Sequence, residues 1–419
     1  MKIGLIADTH IGRNIPRVVG DLRREAYRHA FSKTIDILVN ECVDYVLHAG
    51  DLFEKRSMVP SDALFVKREF QRLVNSLKEN ADKDVKIIVV RGNHDGTLEN
   101  NTLAYIKHPL AKYLEVLGDE VLRGNTELYD DGKVSIAAVG YHPYIASKFS
   151  EVKHVLKESL NKGSSRKFLI LHAFIRGYHD LPPGVPEHSI LKPQDFDDLD
   201  VDTVICGHYH IRKPPREFNK TRFITPGATE AIDLADQGEY GVSILNESYR
   251  FVPLSPLHEI RNIKVSSEGA FKPLSWFKEE AEAVMERYIA QLNRSERKGI
   301  ARLVLKGKSV EPSFRLEMEL AMLTTKMREE NPSLLHVQIE NRVGSTEEAF
   351  DRPMGGQDEF LKEAMKPLES GIEEAVTIAE EVEMALEEKA SQRTGLLMPS
   401  DRQRFTDKWM MLIEERVKR

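Results

Sequence analysis

With 419 residues, 41% of them hydrophobic, the chain can form two or three domains, each with its own buried core. Two cysteines are too few for a disulfide framework and favour a reducing compartment, and a net charge of −7 argues against a uniformly basic nucleic-acid binder. The start, Met1 to Ile6, is too short an apolar run for a signal peptide or membrane span, so a non-secreted protein beginning at Met1 is expected.

Apolar runs of three to six residues recur at Ile3 to Ala7, Tyr45 to Leu47, Lys86 to Val90, Phe168 to Leu171 and Thr203 to Cys206. Bounded by turn signals, they read as buried strands. Helical stretches lie between them at Leu22 to Asn40, Ser61 to Lys78 and Ala146 to Leu160, before a β-rich run from Arg222 to Pro253. An α/β layered domain over residues 1–257 is expected. From 258 to 343 the pattern restarts: Ile260 to Val265, Leu274 to Leu292, Ala301 to Leu305, Phe314 to Glu330 and His336 to Ile339 alternate strand with helix, with no ligand cluster among them. Residues 344–357 hold turn formers and read as a linker. Residues 358–419 read as two amphipathic helices, the first with a strongly acidic face, the second with Phe405, Trp409, Leu412, Ile413 and Val417 on one side.

Polar clusters follow the strand-like runs: Asp8-Thr9-His10, Gly50-Asp51, Gly92-Asn93-His94-Asp95, His172 and Gly207-His208-Tyr209-His210. Because ligands in α/β sheets gather at strand ends, these chain-distant groups can converge on one crevice. In extended chain residues i and i+2 share a side, so Asp8 with His10, and His208 with His210, are expected to present ligands in pairs. A carboxylate such as Asp51 can bind one ion through each oxygen, spanning the roughly 3.5–4 Å of a two-metal site. Mixed carboxylate, amide and imidazole ligands suit Mn²⁺ or Fe²⁺ and also accept Zn²⁺. No Walker loop or dinucleotide fingerprint is present, so any ATPase activity must belong to a partner.

The order and wording of these motifs resemble the calcineurin-like metallophosphoesterases, and His48-Ala-Gly-Asp-Leu-Phe53 resembles their DNA-repair branch, the Mre-eleven/SbcD nucleases. The resemblance implies a two-sheet sandwich flanked by helices, a smaller α+β capping domain that helps grip DNA, and a helical tail at 358–419 that grasps the coiled coil of a Rad-fifty/SbcC-type ATPase. It implies two Mn²⁺ per subunit. Asp8, His10, Asp51 and His210 would hold one ion, and Asp51, Asn93, His172 and His208 the other. His94 would be the catalytic histidine that helps the leaving oxygen depart, with Asp95 orienting its imidazole. It implies a 3′ to 5′ double-strand exonuclease and single-strand or hairpin endonuclease acting on DNA ends in double-strand-break repair. Further implied are a homodimer through Ser61 to Lys78 and a short helix after Thr97, and a place in the prokaryotic cell interior at the nucleoid. A small-molecule metallophosphoesterase and a non-catalytic scaffold are the other readings.

One position departs from the family: His is common three residues after the bridging Asp, and this chain has Glu54. Lys55 and Arg56 are then candidates for a phosphate contact. Charge placement leaves room for a DNA face. Asp358 to Glu388 holds eleven acids against two bases, so the remainder is slightly positive. Candidate cations flanking the motifs are Arg13, Arg17, Arg23, Arg24, Arg212, Lys213, Arg216, Lys220 and Arg222.

Overall fold

The computed structural model describes residues 1–345, apart from 108–109, 164–165, 183, 237, 310 and 312–313. Most of the expected linker and all of the expected helical tail lie outside the described residues. Among the described residues no helix is long and apolar enough to cross a membrane.

The elements run β1 (Ile3–Ile6), α1 (Gly20–Asn40), β2 (Tyr45–His48), α2 (Pro60–Ala81), β3 (Lys86–Val90), α3 (Ala104–Lys107), β4 (Leu114–Leu117), α4 (Asp119–Leu122), β5 (Tyr129–Asp130), β6 (Val134–Val139), α5 (Ile145–Lys162), β7 (Arg166–His172), β8 (Phe174–Ile175), β9 (Ile190–Leu191), β10 (Thr203–Gly207), β11 (Lys213–Phe218), β12 (Thr221–Thr225), β13 (Gly241–Leu245) and β14 (Tyr249–Pro253). A second set follows: β15 (Glu259–Lys272), α6 (Leu274–Arg294), β16 (Gly299–Ser309), α7 (Phe314–Glu330) and β17 (Leu334–Ser345).

Two six-stranded sheets form the first set, in the orders β14-β13-β1-β2-β3-β4 and β11-β12-β10-β7-β6-β5. Side-chain alternation sorts their residues into layers. Ile3, Leu5, Leu47, Ile88 and Val90 of the first sheet meet Ile136, Phe168, Ile170 and Ile205 of the second in a dry core. The alternate residues Ile6, Val46, Ile87 and Val89 face outward, onto Tyr27, Phe31, Ile35 and Leu38 of α1 and Phe70, Leu73 and Leu77 of α2. On the far side Leu169, Leu171 and Val204 pack on Phe149, Val152 and Leu156 of α5. The result is the helix-flanked two-sheet sandwich that the sequence led us to expect. Its central strands are buried on both faces, which is why they read as unbroken apolar runs. β1, β2 and β3 are mutually parallel, as are β6, β7, β10 and β12, so the polar clusters at their C-terminal ends gather at one edge.

The second set is a three-stranded sheet, β15-β16-β17, with its own core of Phe277, Met285, Leu292, Leu303, Leu305, Leu316 and Leu320. Its strands outrun the sequence expectation, β15 extending to Lys272 rather than Val265. The extension beyond the core is mostly exposed and polar, Ser266 to Lys272, so hydrophobic patterning does not mark it.

Candidate metal centre

The loops after β1 and β2 build the floor of the cluster by pairing with each other: Asp8 N donates to Gly50 O (3.0 Å), His10 N to Asp51 O (3.0 Å) and Ile11 N to Leu52 O (2.9 Å). Asp8, His10, Asp51 and His208 all have positive φ, of 50°, 42°, 55° and 77°. Their side chains therefore do not converge through extended-chain alternation, as expected from spacing; left-handed turns after each strand aim them. Such strained backbone outside glycine gathers at functional sites. The glycines serve close approach: a Cβ at Gly92 would collide with the Asp51 carboxylate, and one at Gly207 with the Ala49 carbonyl.

Around Asp51 the structure brings together every expected ligand. Three groups have ligand atoms within 4.8 Å of one another: Asp8, His10 and His210; His10, Asp51 and His94; Asp51, His172 and His208. Asp51 Oδ2 lies 3.2 Å from His172 Nε2 and 3.6 Å from His10 Nε2, between the outer two groups. Asn93 Oδ1 stands 3.0 Å from His172 Nε2. The Nδ1 of His172 donates to the Ala49 carbonyl (2.8 Å), which leaves Nε2 turned inward as a ligand.

These residues fit a pair of cations. Asp8 Oδ2, Asp51 Oδ2 and both ring nitrogens of His10 are buried and have no hydrogen-bond partner among the described residues. Buried polar atoms ordinarily find partners, so four such atoms in one cluster fit a role as cation ligands. Burial and mutual charge shift the titration of these groups strongly. Burial pushes Asp8 up to about 7, with the Asp51 charge adding to it. Burial acts on Asp51 too, but His172 and His10 outweigh it and hold that carboxyl well below its usual range. Desolvation keeps His208 neutral and lowers His210 to about 3, so both present lone pairs.

His94 is at the rim, its ring centroid 4.8 Å from that of His10. Here one expectation fails. Asp95 does not orient the imidazole; its carboxylate is fully buried and accepts from the backbone N–H of Gly92 (2.9 Å), Phe53 (2.8 Å) and Leu52 (3.3 Å). It locks the two loops together instead. The group on His94 is Glu54, whose Oε1 is 2.6 Å from Nδ1. Oε2 of Glu54 accepts from Arg13 Nη1 (2.8 Å) and is 3.5 Å from His10 Nδ1. Burial would raise the Glu54 pKa, but His10 and His94 dominate and depress it strongly; burial likewise opposes protonation of His94, and Glu54 reverses that. Sequence reasoning saw Glu54 only as a departure. The available signal was a carboxylate placed directly after the apolar Leu52-Phe53 pair; in the structure it is 4% exposed.

The expected cationic track is thinner than the sequence suggested. Arg23 is 1% exposed and pairs with Glu230 (3.2 Å), so it is a core group and not a DNA contact. Lys55 donates to the Asn100 carbonyl (2.6 Å), and Lys213 pairs with Asp180 (2.5 Å). Arg56, next to Lys55 in the chain, is exposed. Tyr141 and Phe174, not singled out from the sequence, wall the cluster, with ring centroids 5.6 and 4.3 Å from that of His208.

A family model described as calcineurin-like phosphoesterase matches residues 1–212, the half of the chain that holds the seven expected ligands and His94. The chain is 27% identical over 210 residues to the DNA double-strand break repair protein Mre11 of Thermoplasma acidophilum, covering 49% of this chain and 50% of that one. To the protein of the same name from Methanococcus maripaludis it is 24% identical, covering 57% and 60%, and to that of Sulfolobus acidocaldarius 26%, covering 51% and 50%. The matches thus span roughly half to three-fifths of the length of these curated relatives. By the match over this half, the chain belongs to the calcineurin-like phosphoesterase family, and within it is similar to the Mre11 proteins.

Proposed function

We propose that this chain is a two-metal DNA nuclease that processes DNA ends in double-strand-break repair. The observation that carries the phosphodiesterase chemistry is the buried cluster centred on Asp51, with its orphaned ligand atoms and His94 at the rim. The relatives named for double-strand-break repair support DNA as the substrate.

Asp8, His10, Asp51 and His210 would hold one cation and Asp51, Asn93, His172 and His208 the other, with Mn²⁺ the expected resident. Bound there, the pair would lower the pKa of an attacking water and neutralise charge building on the phosphodiester oxygens. The chain's own part begins at His94. With Nδ1 donating to Glu54, its Nε2 is the ring nitrogen available to a substrate oxygen, and it would deliver a proton to the leaving oxygen. Glu54 favours the charged imidazole, and Arg13 holds Glu54 from the other side.

Finer features follow as part of the same proposal: 3′ to 5′ exonuclease and single-strand or hairpin endonuclease activities, the module at 258–343 as a DNA-gripping cap, and action in the cell interior. Exposed Val59, Leu64 and Tyr105 at α2 and α3 support a homodimer through that face. Residues 358–419 would bind a coiled-coil ATPase. Deleting Gln357 to Arg419 should then abolish co-purification with that ATPase while Mn²⁺-dependent cleavage survives; retained co-purification would reject this assignment.

The deciding experiment incubates the purified chain with Mn²⁺ and 3′- or 5′-labelled duplexes and hairpins, beside His94→Ala and a p-nitrophenyl phosphodiester. DNA degradation that drops about 10²- to 10⁴-fold in the variant is the expected result. Turnover of the small diester with DNA left intact would overturn the nuclease reading.

A further inference from the structure

The segment after β6 leaves the wall of the metal cluster and ends in an aromatic side chain that is more than half exposed. Tyr141 sits against the cluster, its ring centroid 6.1 Å from that of His172. Three residues on, Tyr144 is 56% exposed, although large aromatic side chains usually bury most of their surface. Tyr141 and Tyr144 are three residues apart, so their Cα atoms are separated by at most about 10 Å.

The Tyr144 backbone is anchored on both sides. Pro143 precedes it; its N–H donates to His142 Nδ1 (3.2 Å), and its carbonyl accepts from Lys148 N (3.0 Å) and Ser147 Oγ (3.1 Å). Its ring lies 4.6 Å from that of His188 at an interplanar angle of 31°, and 6.3 Å from that of His142. The charges nearby are mutually matched, Lys148 with Glu151 (2.7 Å) and Arg176 with Glu187 (2.5 Å). What this ledge offers a ligand is therefore ring faces, not net charge.

We propose that Tyr144, flanked by His142 and His188, stacks an unpaired nucleobase of the DNA strand whose phosphodiester lies at the Asp51 cluster. The inference rests on the nuclease reading and adds a substrate preference to it. In a duplex the bases are stacked on one another, whereas frayed ends, single strands and hairpin loops expose them. Stacking is sequence-tolerant because every base has a π-face. The ledge thus selects unpaired DNA of any sequence.

The test uses the full-length chain, with divalent metal chelated so that the DNA survives, and 2-aminopurine oligonucleotides as single strands and blunt duplexes. The wild type should quench 2-aminopurine fluorescence in the single strand. Tyr144→Ala should lose that quenching and about ten-fold in single-strand affinity, more than it loses on the blunt duplex, and Tyr144→Trp should retain both. Equal affinity and quenching in wild type and Tyr144→Ala would overturn the ledge alone, as would a Tyr144→Trp loss as large as the alanine loss. Failure of the wild type to bind either DNA, with Mn²⁺ restored as well as with it chelated, would overturn the ledge together with the nuclease reading.

Discussion

Glu54→Gln is the sharpest perturbation of the centre, because it keeps the shape of the side chain and removes its charge. The carboxylate is 4% exposed, 2.6 Å from His94 Nδ1 and 2.8 Å from Arg13 Nη1. A hydrogen bond to a charged group contributes about 1.5–3 kcal/mol. If one such bond to the imidazolium is lost from the transition state, kcat falls about 10- to 100-fold, at 1.36 kcal/mol per decade. The sign with pH is also set. Glu54 raises the pKa of His94, so without its charge that pKa falls; an acid must be protonated to act, and the alkaline limb of the rate profile moves to lower pH. Steady-state rates on a labelled hairpin across pH, with Mn²⁺ stoichiometry by calorimetry as the control, read both effects. A kcat within about two-fold of wild type and an unmoved alkaline limb, with metal still bound, would refute the assignment of Glu54 to His94.

Asp51→Asn should abolish binding of both cations, since its carboxylate lies between the two ligand groups; calorimetric titration that still shows two Mn²⁺ per chain would contradict the bridging role. Asp8, raised to about 7, must shed its proton to serve as a ligand, so Mn²⁺ affinity should tighten as pH rises from about 6 to about 8, with proton release on the acid side; a pH-independent Kd over that range would count against Asp8 as a ligand. Gly92→Ala should lose Mn²⁺ binding while the far-ultraviolet circular dichroism is retained, because the new methyl displaces the Asp51 carboxylate; wild-type affinity would show that the loop yields freely. In the three-stranded module, Phe277→Ala removes a fully buried ring and should destabilise it by about 3–5 kcal/mol in urea unfolding, a loss under about 1 kcal/mol being incompatible with that core.

The strands and long helices of the sandwich were legible because burial on both faces writes itself as apolar runs, and one-sided burial as helical periodicity. The expected Leu22 to Asn40 and Ser61 to Lys78 fall within Gly20–Asn40 and Pro60–Ala81. The candidate ligands were legible for a related reason: strand ends that carry Asp, Asn and His after apolar residues have few structural uses. What patterning could not report were interactions between residues far apart in the chain. Asp95 and Glu54 are both acids near His94 in sequence or motif, and spacing favoured the neighbour; the fold turns Asp95 inward onto three backbone N–H groups and brings Glu54, forty residues away, onto the imidazole. Arg23 read as a surface cation until α1 packed it on Glu230, 207 residues distant. Composition and periodicity determine which residues must leave water, and so the layers and the edge where polar residues collect. Which carboxylate meets which imidazole depends on left-handed turns a few residues long and on contacts across the sandwich, and only the tertiary structure decides those.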